Sequence, residues 1–315
     1  MNHSTFKSFT FGIGLFFTLP LVYGNSSSPS SSDGTLYINK SKTHKVAPVK
    51  YGFHYEEIGM MGEGALHAEL IRNRSFEEAT PPAGLSVKNG LYENVPAPRV
   101  KEKKVFQADP LIGWTTYPLS YTPVFISRTD ENPMSGENKY SMLVNVTEDI
   151  ANHPDALILN RGYYGMNLKT DTSYRLSLFL KNRNYSAPLR VFLVDEWGQR
   201  VSNVIEVNVG NREWTKYTGE LKPEKNVRRG MFAIQPMSKG QFQIDVVSLF
   251  PSDTWNDGKS VFRKDIVQNL KEFSPSFIRF PGGCIVHGVN EETMYHWKKT
   301  LGPIENRPGQ WSKWA

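Results

Sequence analysis

Two adjacent carboxylates, Glu56 and Glu57, end a run in which Val46, Val49, Tyr51, Phe53 and Tyr55 nearly alternate with polar residues, and a loop with Gly59, Gly62 and Gly64 follows them. A carboxylate at the end of a strand, just before a glycine loop, stands where barrel active sites are built. The alternative is a structural glutamate paired with an arginine such as Arg72 or Arg74. Neighbours on a strand point to opposite faces, so at most one of the two faces a given pocket. Far downstream, Arg279 lies within the apolar run Phe277-Ile278-Arg279-Phe280. A guanidinium buried there needs a partner, either a site carboxylate that it keeps ionised or a structural acid. Pro281-Gly282-Gly283 then permits a sharp backbone excursion that carries Cys284 and its amide to the strand end. No base is assignable to Cys284 as a nucleophile, so it reads better as a small pocket-lining residue.

The elements that must position these residues follow from periodicity. Residues 45–55 predict a strand, and Leu66, Leu70 and Ile71 predict a short helix over 65–72. Val261, Phe262, Ile266, Val267, Leu270 and Phe273 predict a second helix over 259–273, closed by Ser274-Pro275 and followed by a short buried strand at 277–280. Between these two strand–helix texts, residues 105–250 lose helical periodicity. Tyr174, Leu176, Leu178 and Leu180 share one face while Arg175, Ser177 and Lys181 take the other, and similar short strands are expected at 141–146, 189–194, 204–209, 231–234 and 241–249. That pattern predicts an antiparallel β-sandwich of jelly-roll type. Its aromatics Trp114, Tyr117, Tyr121, Tyr163, Tyr164 and Trp197 offer flat faces to the C–H surfaces of sugar rings, although core packing is expected to take most of them.

The fold class expected is therefore α/β plus all-β: the first strands of a (β/α)8 barrel, with the sandwich inserted between them. A complete barrel needs about 250 residues, and only 315 − 250 = 65 follow residue 250, so the barrel is expected to be incomplete and the chain to be an N-terminal portion. The domain reading is a signal peptide over 1–24, a Ser/Pro leader over 25–34, N-terminal strands with the first barrel βα segment and a connector over 35–104, the sandwich over 105–250, and the start of the barrel over 251–315.

Composition narrows the function. With 37 Lys and Arg against 31 Asp and Glu the net charge is +6, and 39% hydrophobic with 22% charged residues describes an ordinary folded chain. The basic residues are interspersed with acids, as in Lys101-Glu102-Lys103-Lys104, so no nucleic-acid partner is expected. A single cysteine excludes a disulfide framework within the chain, and seven histidines without HExxH spacing give no support for a metal or other cofactor. Lys7, the apolar stretch from Phe9 to Val22 and the Val22-Tyr23-Gly24 site predict export, to the extracellular space or a periplasm, with no membrane association after cleavage. Sequons at Asn25, Asn39, Asn73, Asn145 and Asn184 matter only in a cell that glycosylates.

Gly52-Phe-His-Tyr-Glu-Glu-Ile58, Ala68-Glu-Leu-Ile-Arg-Asn-Arg-Ser-Phe-Glu77, Arg279-Phe-Pro-Gly-Gly-Cys284 and Leu301-Gly-Pro-Ile-Glu-Asn-Arg-Pro308, in that order, resemble the α-L-arabinofuranosidases of glycoside hydrolase family 51. Asn160-Arg-Gly-Tyr-Tyr-Gly-Met166 and Ser248-Leu-Phe-Pro251 resemble the carbohydrate-binding-like module inserted in those enzymes and its exit into the barrel. The resemblance implies a secreted, exo-acting hydrolase that removes terminal α-L-arabinofuranosyl groups from arabinan or arabinoxylan with retention. In that family the acid/base and the nucleophile are glutamates on later barrel strands, and neither matches a position here. What the resemblance carries over is substrate binding: Glu56 to the arabinose hydroxyls, with Glu57 as alternate, Cys284 as the pocket cysteine, and Arg279 as a positioner of site carboxylates. A non-catalytic carbohydrate-binding chain and a retaining glycosidase of other sugar preference remain as alternatives.

Overall fold

A computed structural model describes residues 51–78, 87–89, 91–92, 109–288 and 290–309, with the single positions 41, 45 and 49. The expected signal peptide, the Ser/Pro leader, the strand at 35–39 and most of the connector over 80–104 lie outside the described residues. The elements that follow all belong to one unit, residues 48–315.

Two strands far apart in sequence form a parallel pair. β1 (Phe53–His54) aligns Phe53 with Ile278 and His54 with Arg279 of β15 (Ile278–Arg279). Backbone bonds extend the pairing at both ends, from Phe53 N–H to Phe277 O and from Tyr55 N–H to Arg279 O. β2 (Val87–Lys88) and β3 (Leu91–Tyr92) make a small separate hairpin.

From Trp114 to Pro251 every strand pairs antiparallel. One sheet orders β11 (Ile205–Asn208), β10 (Pro188–Val194), β13 (Val227–Pro236), β7 (Leu157–Asn160) and β4 (Trp114–Tyr117), with β8 (Met166–Leu168) also on β13. The other orders β12 (Thr215–Leu221), β9 (Tyr174–Asn182), β14 (Gly240–Pro251), β6 (Ser141–Val146) and β5 (Val124–Thr129). The strand alternation read at 174–180 is realised: Tyr174, Leu176, Leu178 and Leu180 are buried, while Arg175 is exposed. Those four side chains meet Leu189, Val191, Leu193, Phe232 and Ile234 from the facing sheet in one apolar core. The next residues along the same strands, Phe192, Val194, Met231 and Ala233, turn the other way and join Leu157 and Leu159 in a smaller cluster on the outer face of the six-stranded sheet.

Three expectations are corrected. No helix forms over 65–72. The backbone N–H groups there find distant acceptors, Ala68 on Val261 O and Leu70 on Leu249 O, while Ile71 N–H bonds the Glu69 side chain; a helix would need those donors for its own carbonyls. The later helix is shorter than expected, α1 (Lys264–Glu272), and buries no residue. The strand at 277–280 is exposed, because β15 has β1 as its one strand partner among the described residues and neither face is covered. Arg279 is accordingly exposed and forms no ion pair among the described residues, so the burial that was to demand a partner for it is absent.

Candidate functional site

The parallel register of β1 and β15 delivers the segments that follow each strand to the same edge. Past β1 come Glu56 and Glu57; past β15 come Pro281, Gly282 and Gly283, leading into the short helix α2 (Cys284–His287). The Glu56 carboxylate accepts the Cys284 N–H through Oε1 at 2.8 Å. Burial would raise the pKa of Glu56, but the N–H groups of Cys284, Gly283 and Ile285 and the nearby His54 outweigh it and hold the carboxyl below its ordinary range. The two glycines make this approach possible. A Cβ on Gly282, whose φ is 133°, would collide with the Glu56 side chain, and one on Gly283 would come to 3.3 Å from Glu56 Oε2.

His54 was not singled out from the sequence. Its Nε2 lies 3.7 Å from Glu56 Oε2, with the ring 45% and the carboxylate 14% exposed. The available signal was the i, i+2 spacing, which places two residues of an extended segment on the same side.

Glu57 goes elsewhere. Its Oε2 accepts the Gly62 N–H at 2.5 Å, inside the glycine loop. Burial pushes its pKa up, the Gly62 N–H partly opposes this, and the Glu63 charge adds to the rise. The Tyr55 phenol nearby is pushed up to about 12, by burial and then by Glu57. Each glutamate has its own neighbourhood, although both lie past the end of β1, where strand alternation no longer applies. Tyr55 also packs on Phe280 with ring centroids 5.6 Å apart, and Phe280 meets Tyr295 edge-on at 5.9 Å. Cys284 is half-buried and reduced. Glu56, Cys284 and the double glycine are therefore brought together; Arg279 stands on the strand beside them, facing solvent.

A second acid fastens the 68–74 segment to β14. Glu69 is 3% exposed and accepts the N–H groups of Ile71 and Leu249 at 3.0 and 2.8 Å, with Arg74 at 3.5 Å and the Ser248 hydroxyl also on Oε2. Glu69 rather than Glu56 or Glu57 thus takes the structural ion pair with Arg74, and Glu78 takes Arg72 at 3.3 Å. Of the six aromatics singled out from the sequence, Trp114 is buried, Tyr117 and Tyr163 are half-buried and Tyr121, Tyr164 and Trp197 are exposed. The expectation that core packing takes most of them is corrected: the outward-facing positions of β4 and the loops after β7 and β10 carry them instead. The Asn73 sequon is closed by packing, since its side chain is buried and donates to Pro110 O.

The α-L-arabinofuranosidase 1 domain model matches residues 269–315, the span that contains β15, the double glycine and Cys284. α-L-Arabinofuranosidase 1 of Arabidopsis thaliana is 28% identical over 84% of this chain and 36% of its own length. An extracellular exo-α-L-arabinofuranosidase of Streptomyces chartreusis is 26% identical over 84% of this chain and 29% of its length. The chain thus spans about a third of the length of these curated relatives. A solved, arabinose-bound α-L-arabinofuranosidase of glycoside hydrolase family 51 superposes with a TM-score of 0.70 over 88% of this chain and 41% of that one, at 24% identity, which establishes likeness of fold. In sequence over most of its length and in fold, this chain is similar to the α-L-arabinofuranosidases of glycoside hydrolase family 51.

Proposed function

We propose that this chain belongs to a secreted, exo-acting α-L-arabinofuranosidase that releases terminal α-L-arabinofuranosyl groups from arabinan or arabinoxylan, and that its part in the reaction is to hold the sugar. The observation that carries the reading is the contact between Glu56 and the Cys284 N–H. A carboxylate kept ionised by backbone donors still has lone pairs free to accept sugar hydroxyls, and such an acceptor is geometrically fixed. Cys284 lines the same edge, and Arg279 stands where it would position an acid brought to the site. Retaining hydrolysis needs two carboxyls about 5–5.5 Å apart, one raised in pKa as acid/base and one ionised as nucleophile. No position in this chain matches those two glutamates, so we assign it binding and not bond cleavage.

The β1–β15 pair is, in this reading, the start of a (β/α)8 barrel, whose active sites gather at the C-terminal strand ends; Glu56 and Cys284 both lie just past such an end. Phe273, Phe277, Ile278 and Phe280 are exposed around β15, which supports further barrel elements packing there. The sandwich over 105–250 is the inserted carbohydrate-binding-like module. Export is proposed from the N-terminal segment; one relative is described as extracellular, and no helix among the described residues is long and apolar enough to cross a membrane.

Titrating the 15N-labelled chain with methyl α-L-arabinofuranoside tests the assignment. Shifts at the Gly283, Cys284 and Ile285 amides, lost in Glu56→Gln, are expected, together with no release from an aryl α-L-arabinofuranoside by this chain alone. Turnover by this chain, or shifts unchanged in Glu56→Gln, would overturn it.

A further inference from the structure

The outer face of the six-stranded sheet carries a cleft of about 490 Å³, remote in sequence from Glu56 and Cys284 and within the size range of ligand sites. Strand register builds its floor. Tyr117 on β4 stands opposite Leu157 on β7, and Ile158 opposite Ile234 puts Leu157 beside Gln235 on β13. Gln235 in turn stands opposite Arg190 on β10, and Arg190 opposite Glu206 on β11. These side chains form one row across the sheet. With strands about 4.8 Å apart, the three steps from Tyr117 to Arg190 span about 14 Å, the reach of a short oligomer rather than of one small molecule.

The wall of the cleft is a turn organised by a buried acid. Asp195 accepts the N–H groups of Trp197 and Gln199 at 3.2 and 2.9 Å and pairs with Lys225 Nζ at 3.0 Å. The turn holds Gln199 and Arg200 at the cleft and leaves Trp197 68% exposed beside it.

The lining chemistry selects an occupant. Phe192 and Leu157 are buried beneath, and the half-buried Tyr117 ring, packed on them with Gly198 alongside, lines the cleft. Two guanidiniums stand above them. Arg190 is tied through Nε to Glu206 at 3.1 Å, which leaves its terminal nitrogens. Arg200 is exposed and makes no ion pair or side-chain hydrogen bond among the described residues. Asp155, exposed, is the one acid in the lining. Aromatic floor, side-chain amides of Gln199 and Gln235, and paired guanidiniums suit a sugar polymer that carries carboxylates: a guanidinium grips a carboxylate in a fork, and the C–H face of a pyranose lies flat on an aromatic ring.

We propose that this cleft binds a uronate-bearing polysaccharide, with sugar rings on Tyr117 and carboxylates on Arg200 and Arg190. The proposal rests on the reading above that the protein works on polysaccharide, and it adds a second, acid-selective site on the sandwich. Oligogalacturonate titrated into the full chain in a calorimeter tests it; this probe contains no arabinose, so its result is independent of whether Glu56 binds arabinofuranosides. Saturable binding is expected, weakened at least tenfold by Arg200→Ala and by Tyr117→Ala with melting temperature retained, weakened by added salt, and unchanged by Arg212→Ala. No binding, equal losses in Arg200→Ala and Arg212→Ala, or equal affinity for neutral arabino-oligosaccharides or for poly-L-glutamate of similar length would overturn it.

Discussion

The carboxylate of Glu56 and the backbone N–H of Cys284, 228 residues apart in sequence, meet at 2.8 Å. One hydrogen bond thus closes the edge of the parallel pair that brackets the whole sandwich. Glu56→Ala is expected to leave the N–H groups of Gly283, Cys284 and Ile285 without their acceptor and to speed their hydrogen exchange about tenfold or more, as befits a charge-assisted bond of about 1.5–3 kcal/mol. Exchange in the core strands β9 and β14 should not change.

The double glycine predicts an asymmetry. Gly282→Ala drives a Cβ into the Glu56 side chain at a φ of 133° and should cost about 2 kcal/mol or more. Gly283→Ala meets only Glu56 Oε2 at 3.3 Å and should cost about 1 kcal/mol or less. Cys284 amide exchange in the two variants measures the difference directly.

Glu69 ties the 68–74 segment to β14 through Ser248 and Leu249 and is held within its own segment by Ile71 and Arg74. Glu69→Ala strands Arg74 and the Leu249 N–H together, and a loss of about 3–5 kcal/mol in urea unfolding is expected. Glu69→Gln keeps an acceptor for Leu249 and Ile71 and should cost less than the alanine.

His67 makes stability depend on acid. Burial, then the charges of Arg74 and Arg307, lower its pKa from 6.5 to about 4. Between those values the unfolded chain binds more protons than the folded one, so the contribution of neutral His67 is complete above pH 6.5 and falls away as the pH drops toward 4. His67→Gln should remove that decline, narrowing the difference between neutral and acid unfolding midpoints by on the order of 2 kcal/mol.

Asp245 has the opposite sign. It is fully buried at the irregularity in β14, where Val246 has a φ of 43°; Oδ1 accepts the Val246 N–H at 2.7 Å and Oδ2 has no hydrogen-bond partner among the described residues. Burial, opposed by the Val246 N–H and reinforced by Glu77, raises its pKa well above 3.8. The folded state therefore holds the proton more tightly, and stability present below the ordinary carboxylate pKa is lost as the pH rises through the folded value. Asp245→Asn keeps the Val246 acceptor without a buried charge and should be about 1 kcal/mol or more stabler than the parent in neutral urea unfolding.

Local pattern alone determined much of this protein. Period-two alternation at 174–180 and the run of short strands without helical spacing over 105–250 predicted antiparallel sheet there, and β6, β9, β10, β11, β13 and β14 form it. The glycines after a strand-end carboxylate and the Gly-Gly-Cys turn likewise marked the candidate site before any contact was known. Tertiary structure decided the rest, because burial and hydrogen-bond partners are properties of distant chain. Residues 65–72 carry helical spacing, yet Leu249 and Val261 supply the acceptors that their N–H groups take instead. Arg279 sits in an apolar run and is exposed, since covering a strand requires another layer. Which of two adjacent glutamates meets Cys284, and that His54 stands beside it, depended on the parallel register of β1 with β15, a pairing that no local spacing encodes.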